Sequence, residues 1–420
     1  MNLKSKHWPL IEIEKAPGDL CVDLASRLPQ FIGAHSATEK ILRDATVAVV
    51  ASGSVGRRMA LHCARLMPKL LIIIDPARYK PENLLTQEIG PADIGRFKAV
   101  STGEYCKAIS PSTLVLVHTG PVQELPQRTL AQVQVALLSS DNLAAEVHLT
   151  QRCLHLGLPL IQASVDGPTL VAQVRTLGNK DGHGPCLACG FGEAEWEHLA
   201  GETQFACGGT GNTGTQTVTT QPTISTSFLC SLAADLAMNQ WLRLLLSLGK
   251  PVVDAQLQYC GFTHRTGISP LVRNPNCPCQ HVRWNHIGLD DSLQNQTLEM
   301  LLHRAGLSTS QGMLSTLELD GLEYVESATC CGKLRPVERF VPHGAAANCS
   351  DCGQTMVTTL FHRHRRVPIH MLPASRTLGD LVGHEAPSAL IESDHAGWLF
   401  TSESSIQLDG PSAHHLENMS

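Results

Sequence analysis

The chain has 420 residues, of which 43% are hydrophobic, and this length and apolar content exclude wholesale disorder and allow one large domain plus a smaller one. The formal net charge of −6 argues against a nucleic-acid-coating surface and leaves a small molecule or a protein as the substrate. Because the longest apolar runs are short and the opening sequence MNLKSKHWPLIEIEK lacks the apolar core of a secretion signal, we expect a cytoplasmic protein with no membrane partner.

The first recognisable element in chain order is a strand–turn–helix–strand unit. TVAVV (46–50) is typical of a buried strand, ASGSVG (51–56) of a glycine turn, and the segment that follows it of an amphipathic helix. A second apolar strand, LLIII (70–74), ends at Asp75. This order is typical of the opening βαβ unit of a dinucleotide-type fold.

The glycine turn is the candidate phosphate site of this unit. Glycines let the backbone approach a phosphate, the helix N-terminus offers free N–H groups, and an acidic residue such as Asp75 can hold ribose hydroxyls. Ala51, however, stands where the first glycine of G-x-G-x-x-G belongs. A tight strand–helix turn that binds no nucleotide therefore stays open as an alternative.

The later elements extend the same fold. The pattern predicts further strands at residues 114–118, 135–140, 159–165 and 171–177. It also predicts a loop over 208–223 and a buried helix over 225–248, and the composition changes at about residue 286. We therefore predict an α/β fold with a Rossmann-like, mostly parallel sheet and flanking helices, followed by a smaller C-terminal α+β unit.

Fifteen cysteines are too many for an ordinary cytoplasmic enzyme without metal or thiol chemistry. Cys186 and Cys189 have the C-x-x-C spacing of a zinc knuckle, and Cys277 and Cys279 form a second pair, in which His281 could replace Cys279. We predict one structural zinc on these two pairs. A reduced pair without metal, or a redox C-x-x-C, is the alternative.

The C-terminal unit holds a second set of cysteines. Cys330 and Cys331 are adjacent, and Cys349 and Cys352 have knuckle spacing, so the pattern predicts a zinc ribbon with one atypical knuckle. All four cysteines are candidate ligands, but because adjacent cysteines rarely both bind one ion, completion of the site by His343 or another group stays open as an alternative.

In this order, the motifs resemble those of the ubiquitin-activating enzymes and their ThiF-like relatives, the adenylyltransferases of molybdopterin and thiamine biosynthesis. The resemblance covers about residues 25–280. It rests on ASGSVG, on the acidic strand end, and on the segments ENLLTQ, GRFK and SSDN. The nucleotide-binding residues that it implies are Gly53, Gly56, Asp75, Asn83, Gln87, Lys98 and Asp141.

Within that family, the likeness is closest to compact single-chain activators of ubiquitin-fold modifiers. It implies that Arg27 reaches into the partner subunit's site of a homodimer, and that Cys207 accepts the modifier as a thioester. Together with the composition change at about residue 286, this gives three expected parts: residues 1–45 as a lead-in and dimer arm, 46–285 as the adenylation domain with its zinc site, and 286–420 as an accessory domain.

Three positions depart from the family pattern. Thr86 and Glu146 stand where arginines are usual, and Ala77 replaces a frequent aspartate. Losing a cation near a triphosphate weakens charge stabilisation. Either the enzyme is slow or inactive, or another cation substitutes, with Arg57 and Arg58 as candidates.

The resemblance implies an ATP-dependent enzyme that adenylates the C-terminal glycine of a ubiquitin-like protein for transfer to a conjugating enzyme. Its cofactors would be ATP, magnesium held by Asp141, and zinc, with Lys98 as the cation on the phosphates. One alternative is a sulfur-carrier adenylyltransferase, whose adenylate is attacked by a sulfur donor. Another is an inactive relative that only binds a ubiquitin-fold partner. A nicotinamide-dependent oxidoreductase explains neither the cysteine pairs nor the later motifs.

Overall fold

The structure is a computed structural model that describes residues 10–13, 37–179, 182–206, 225–342, 349, 351–357, 362–373, 375–382, 388–393 and 396–402. Its residues form two compact units, and the main division follows His281. We call the part up to His281 the first unit and the part from Val282 the second unit, with which residues 126–129 also group. The three-part division expected from the resemblance stays a prediction.

A large twisted sheet forms the centre of the first unit. Its strand order is β1-β4-β3-β2-β5-β6-β7-β8-β9. The five consecutive strands β4, β3, β2, β5 and β6 are parallel to one another, whereas β1 pairs with β4 and β7 pairs with β6 in the antiparallel direction, as do β8 and β9 beyond β7. The predicted mostly parallel α/β fold is confirmed in its central strands. The strands are β1 Leu10–Glu12, β2 Thr46–Val50, β3 Leu70–Ile74, β4 Leu114–His118, β5 Val135–Leu138, β6 Leu160–Asp166, β7 Val171–Leu177, β8 Ala255–Cys260 and β9 Arg265–Pro270.

Helices accompany this sheet because its central strands are apolar on both faces. All five residues of β3 are buried, as parallel strands require when helices cover both sides. The helices in chain order are α1 Thr38–Asp44, α2 Gly56–Arg65, α3 Lys98–Ile109, α5 Leu143–Leu156, α6 Glu193–Ala206 and α7 Ser227–Leu246; the short α4 Gln127–Ala131, between α3 and α5, groups mostly with the second unit. α2, α3 and α7 share one apolar core with the strands, so the predicted buried helix near the end of this unit is confirmed as α7.

Local signals determine where α5 begins and ends. The side chain of Asn142 accepts a hydrogen bond from the backbone N–H of Ala145, which caps the helix N-terminus. Gly157 has a φ of 64° and ends the helix in the left-handed conformation. The start of α5 thereby follows directly on Asp141 at the carboxyl end of β5.

The second unit is a smaller mixture of strands and short helices, as predicted. A five-stranded sheet has the order β10-β17-β16-β11-β15, and a three-stranded sheet has the order β13-β12-β14. Its elements are β10 Asn285–Leu289, α8 Leu298–Arg304, α9 Thr309–Met313, β11 Thr316–Leu319, β12 Leu322–Cys330, β13 Lys333–Pro342, β14 Arg363–His364, β15 Arg366–Pro368, α10 Leu378–Val382, β16 Ser388–Glu392 and β17 Gly397–Ser402. Among the described residues of the whole chain, no helix combines the length and apolarity that crossing a membrane requires.

Candidate nucleotide and metal sites

A cavity of about 1420 Å³ opens at the carboxyl ends of the parallel strands in the first unit. It runs from the glycine turn towards β6 to β9. Ligand pockets in proteins of this fold class lie at this edge of the sheet. Six of the seven predicted nucleotide-binding residues line it, namely Gly53, Asp75, Asn83, Gln87, Lys98 and Asp141.

The backbone of the glycine turn keeps its conformation although an alanine occupies the first glycine position. Ala51 has a φ of 65°, in the left-handed region that glycine favours. Its N–H donates to the carbonyl of Ile74 at 2.8 Å, and its carbonyl accepts from Ser139 Oγ at 3.2 Å. These bonds hold a conformation that costs a residue with a Cβ about 1–2 kcal/mol.

We expect Ala51→Gly to raise the free energy of unfolding by up to about 1 kcal/mol, because glycine adopts this φ without the steric penalty. Glycine also gains freedom in the unfolded chain, which offsets part of this effect. Urea unfolding of wild type and variant measures the difference. Ala51→Val should destabilise the protein, since a β-branched side chain strains a positive φ further. A destabilised Ala51→Gly variant would contradict the strain argument.

The predicted seventh residue, Gly56, lies beneath the turn and outside the cavity lining. A Cβ at this position would lie 1.8 Å from the carbonyl oxygen of Ala51. Gly56 is therefore required for the packing of α2 against the turn. A Cβ on Gly53 would meet nothing closer than Gln87 Nε2 at 4.0 Å, so Gly53 borders open space.

Asp75 ties the end of β3 to the turn. Its carboxylate is buried and accepts from the Ser52 N–H at 2.7 Å, from Ser52 Oγ at 3.2 Å and from the Ala77 N–H at 2.8 Å. These contacts fit a strand-end cap. Asp75 Oδ2 accepts both bonds from Ser52, whereas Oδ1 accepts only the bond from Ala77 and has room for a further donor. Binding of ribose hydroxyls by Asp75 stays a prediction.

Asn83 and Gln87 differ in how far the protein satisfies them. The side chain of Asn83 accepts from the Lys80 N–H at 2.9 Å and so closes a short 3₁₀ turn. The Oε1 atom of Gln87 is buried and has no hydrogen-bond partner among the described residues. A buried acceptor without a partner is costly, so Gln87 is the better candidate for contact with a ligand.

Lys98 supplies a positive charge to the cavity. It is the first residue of α3, and its ammonium group forms no hydrogen bond or ion pair with any residue that the structure describes. Its Nζ lies 5.9 Å from the centroid of the Tyr79 ring. A cation at a helix N-terminus opposes the helix dipole, so this position is better explained by an anionic ligand than by helix stability.

The two arginines proposed as substitute cations do not line the cavity. Arg57 is buried and donates to the Glu88 carbonyl at 2.7 Å and to the Tyr79 hydroxyl at 3.0 Å. Arg58 pairs with the carboxylate of Glu88 at 2.6 Å. The geometry does not support either as the missing phosphate cation.

Arg175, which the sequence analysis missed, lines the cavity instead. Its Nε donates to Gln256 Oε1 at 2.7 Å, and its Nη1 lies 3.4 Å from Gln162 Oε1. Gln162 Nε2 in turn donates to Glu146 Oε1 at 2.9 Å. Only the alternation of β7, in which every second side chain faces the same side, could have indicated this arginine in the sequence.

Glu146 is buried beside Asp141 and faces this network. Burial raises the pKa of the Glu146 carboxyl to about 7, although the Gln162 amide and the charge of Arg175 lower it in part. A carboxyl in this state is largely protonated below neutral pH. Below neutral pH, the position of Glu146, where the resemblance led us to expect an arginine, is then neutral rather than negative.

We expect Glu146→Gln to stabilise the protein at pH 8 and to change little at pH 4.5. The folded pKa lies above the value of about 4.3 for an unfolded chain, so the carboxyl's contribution to stability is complete below that pH and is lost as the pH rises through 7. The gain at pH 8 is on the order of 2 kcal/mol. Urea unfolding at both pH values measures it, with the exposed Glu197→Gln as control. An equal effect at the two pH values would contradict the shifted pKa.

A candidate metal centre forms part of the cavity wall. The ligand atoms of Cys186, Cys189, Cys277 and His281 all lie within 4.8 Å of one another. Cys186 Sγ is 3.7 Å from Cys189 Sγ and 3.6 Å from Cys277 Sγ, close to the edge of about 3.8 Å in a zinc–sulfur tetrahedron. His281 Nε2 is 3.5 Å from Cys189 Sγ, while its Nδ1 lies 2.8 Å from the Gly184 carbonyl, an arrangement that leaves Nε2 free to bind zinc.

Cys279 does not belong to this group of four. Cys279 is buried against Cys186. The contact between the two thiols is the main reason why the pKa of Cys186 is raised. The geometry therefore favours His281 as the fourth ligand, the alternative that the sequence left open.

We expect His281→Ala to lose one zinc per chain and Cys279→Ser to keep it. The His281 side chain points Nε2 at the three thiolates, whereas Cys279 lies outside the set. Metal analysis of the purified variants counts the zinc. Loss of zinc in Cys279→Ser, with retention in His281→Ala, would reverse the assignment.

The remaining predicted residues fall elsewhere. Cys207, which follows the end of α6, and Arg27 lie outside the described residues, as does His343. Dimer contacts are likewise a prediction. In the second unit, the ligand atoms of four cysteines lie within 4.8 Å of one another, namely those of Cys330, Cys331, Cys349 and Cys352.

The model of the ThiF family matches residues 25–280. Among solved structures, E. coli MccB with ATP aligns at 14% identity and a TM-score of 0.44, over 58% of this chain and 68% of that one. E. coli MccB with AMPCPP and SeMet MccA aligns at 15% identity and a TM-score of 0.45 over the same shares. SeMet PaaA aligns at 16% identity and a TM-score of 0.43, over 56% of this chain and 67% of that one. No curated protein matches the chain in sequence.

Proposed function

Because this chain belongs to the ThiF family of ATP-using adenylyltransferases, we propose that it adenylates the C-terminal glycine of a ubiquitin-like protein and takes it over as a thioester on Cys207. The observation that carries the proposal is the arrangement around the glycine turn. The ammonium group of Lys98 and the Oε1 atom of Gln87, which have no partner within the described ranges of the chain, both border one cavity beside Gly53.

The first step needs charge and alignment more than covalent chemistry. A carboxylate oxygen of the substrate attacks the α-phosphorus of ATP, the bond to the β-phosphate breaks, and pyrophosphate leaves. Lys98 would neutralise the phosphates, and Gly53 would let them approach the backbone. Magnesium, when bound with the phosphates, would add charge neutralisation, and the carboxylate of Asp141 borders the cavity as its candidate ligand.

The other end of the cavity suits the acyl substrate. Arg175 there offers a guanidinium that is held in place by Gln162 and Gln256. A guanidinium binds a carboxylate through two parallel hydrogen bonds, and the neutral form of Glu146 would not repel it. We propose that Arg175 positions the substrate's carboxylate before adenylation.

In the second step, the Cys207 thiolate would attack the acyl carbon, and the bond to AMP would break. The resulting thioester would pass to a conjugating enzyme. The homodimer, with Arg27 reaching the partner's site, belongs to the same proposal. A sulfur-carrier adenylyltransferase would stop at the adenylate and hand it to a sulfur donor instead.

The test mixes the purified chain with ATP, magnesium and a panel of ubiquitin-fold proteins that end in glycine. Intact mass then detects an adduct that reducing agents remove, in wild type, in Cys207→Ala and in the control Cys260→Ala. Cys260 is a free cysteine on the β8–β9 hairpin. We expect an adduct in wild type and control only.

Other outcomes separate the alternatives. Formation of AMP and pyrophosphate without an adduct would favour the sulfur-carrier reading and overturn the thioester step. Absence of both, together with absent ATP binding, would favour a relative that binds a ubiquitin-fold partner without turnover.

A further inference from the structure

We propose that the second unit holds its own structural zinc, bound by four thiolates that include both members of the adjacent pair Cys330 and Cys331. The sequence pattern alone left open whether both cysteines bind or whether another group, such as His343, replaces one of them. This proposal does not depend on the function proposed above.

The adjacent pair can contribute both sulfurs because it lies at a hairpin turn. Cys330 ends β12 and pairs with Lys333, which begins β13. The two residues between Cys330 and Lys333 are Cys331, with a φ of 55°, and Gly332, with a φ of 71°. Two consecutive residues with positive φ are typical of a type I′ turn, and the left-handed conformation of Cys331 turns its side chain away from the alternation of the strand. Both sulfurs thereby reach one point.

A knuckle faces this turn and provides the other two sulfurs. The Gly353 N–H donates to the Cys349 carbonyl at 2.9 Å, and Gly353 has a φ of 69°, so the chain folds back after Cys352. The backbone N–H groups of Asp351 and Cys352 donate to the sulfur of Cys349. These hydrogen bonds restrain the position of the Cys349 sulfur in the knuckle.

The sulfur–sulfur distances fit a metal and not a disulfide. Cys330 Sγ lies 3.6 Å from Cys331 Sγ and 3.3 Å from Cys352 Sγ. Cys331 Sγ and Cys352 Sγ are 3.4 Å apart. A disulfide requires about 2.05 Å, whereas the edge of a zinc tetrathiolate is about 3.8 Å. Four thiolates with no open position fit structural zinc better than a catalytic metal.

The packing around this point indicates what the metal would do. Behind the sulfurs, the buried apolar cluster consists of Ala328, Cys349 and Met356. Besides this cluster, the knuckle is tied to β12 by a backbone pair between Thr329 and Val357. So small a core contributes little stability, and metal binding would supply the rest.

The two zinc sites should also differ in accessibility. Cys331 and Cys352 are exposed, whereas Cys186 and His281 in the first unit are buried. A chelator should therefore remove the zinc of the second unit faster than the zinc of the first.

The decisive variant is Cys331→Asn. Asn-Gly is the favoured sequence for a type I′ turn, so this change removes one thiolate and preserves the hairpin. Metal analysis of the full chain, purified with zinc under reducing conditions, should give two zinc ions for wild type and about one for Cys331→Asn. Cys260→Ser, a cysteine in another hairpin, should keep two.

Chelator release adds a kinetic readout. The fast phase seen with wild type should be absent in Cys331→Asn and present in Cys260→Ser. A Cys331→Asn protein that keeps wild-type zinc content and the fast phase would overturn the four-thiolate assignment. If wild type and Cys331→Asn both contain only one zinc per chain, there is no zinc site in the second unit.

Cobalt binding tests the proposal even if the variant folds poorly. Wild-type protein titrated with Co²⁺ should develop sulfur-to-cobalt charge-transfer absorption, whose intensity increases with the number of bound thiolates. Two binding steps are expected, one for the three-thiolate site and a stronger one for the four-thiolate site. A single step of the weaker kind would contradict the proposal.

Discussion

Replacing Lys98 with methionine is expected to weaken the binding of ATP with magnesium by about 10- to 100-fold, equivalent to about 1.4–2.8 kcal/mol, and to leave adenosine binding unchanged. The ammonium group borders the cavity and has no partner of its own among the described residues, so its charge is available to phosphates. Methionine keeps the length and apolar stem of the side chain. Because no ion pair in the described part of the chain is lost, the free energy of unfolding should change little.

Calorimetric titration with ATP and with adenosine measures both affinities. The control is Lys107→Met on the same helix, because the Lys107 ammonium donates to the Thr113 carbonyl at 2.8 Å and does not line the cavity. Equal weakening of ATP and adenosine binding would mean that Lys98 shapes the site without contacting the phosphates. Unchanged ATP binding would remove Lys98 from the site.

Replacing the two glycines of the same turn with alanine should affect different properties, stability at Gly56 and ATP affinity at Gly53. We expect Gly56→Ala to lower the free energy of unfolding by about 3–5 kcal/mol, because its Cβ would lie 1.8 Å from the Ala51 carbonyl oxygen and 2.5 Å from Ser139 Oγ. Backbone must move to relieve such an overlap, and the same carbonyl accepts the Ser139 hydrogen bond.

Gly53→Ala should leave stability within about 1 kcal/mol of wild type, since its Cβ would have no neighbour closer than 4.0 Å. Its ATP affinity should fall, because the Cβ would occupy the space through which a phosphate approaches the backbone. Urea unfolding and ATP titration of both variants give the comparison. If Gly53→Ala binds ATP as wild type does, phosphates do not approach at Gly53.

Several features followed from the sequence because they are local. The β2–turn–α2–β3 unit rests on an apolar run, a glycine turn and an amphipathic helix, and each of these is encoded within a few residues. The same holds for the C-x-x-C spacing of Cys186 and Cys189 and for the buried helix α7. Hydrophobic periodicity and short spacings act through neighbours along the chain, so they can be recognised in one sequence.

Other features depended on which distant side chains meet. The choice of His281 over Cys279 as a ligand depends on where the chain lies after β9. Arg175 reaches the cavity because the pairing of β7 with β6 and β8 aligns it with Gln162 and Gln256. A shift of one residue in that register would turn Arg175 to the other face of the sheet. Local patterns therefore specify the βαβ unit and the cysteine knuckles. Which cation enters the cavity and how the candidate ligands group depend on the tertiary fold, because register and side-chain direction are set by contacts between segments far apart in the chain.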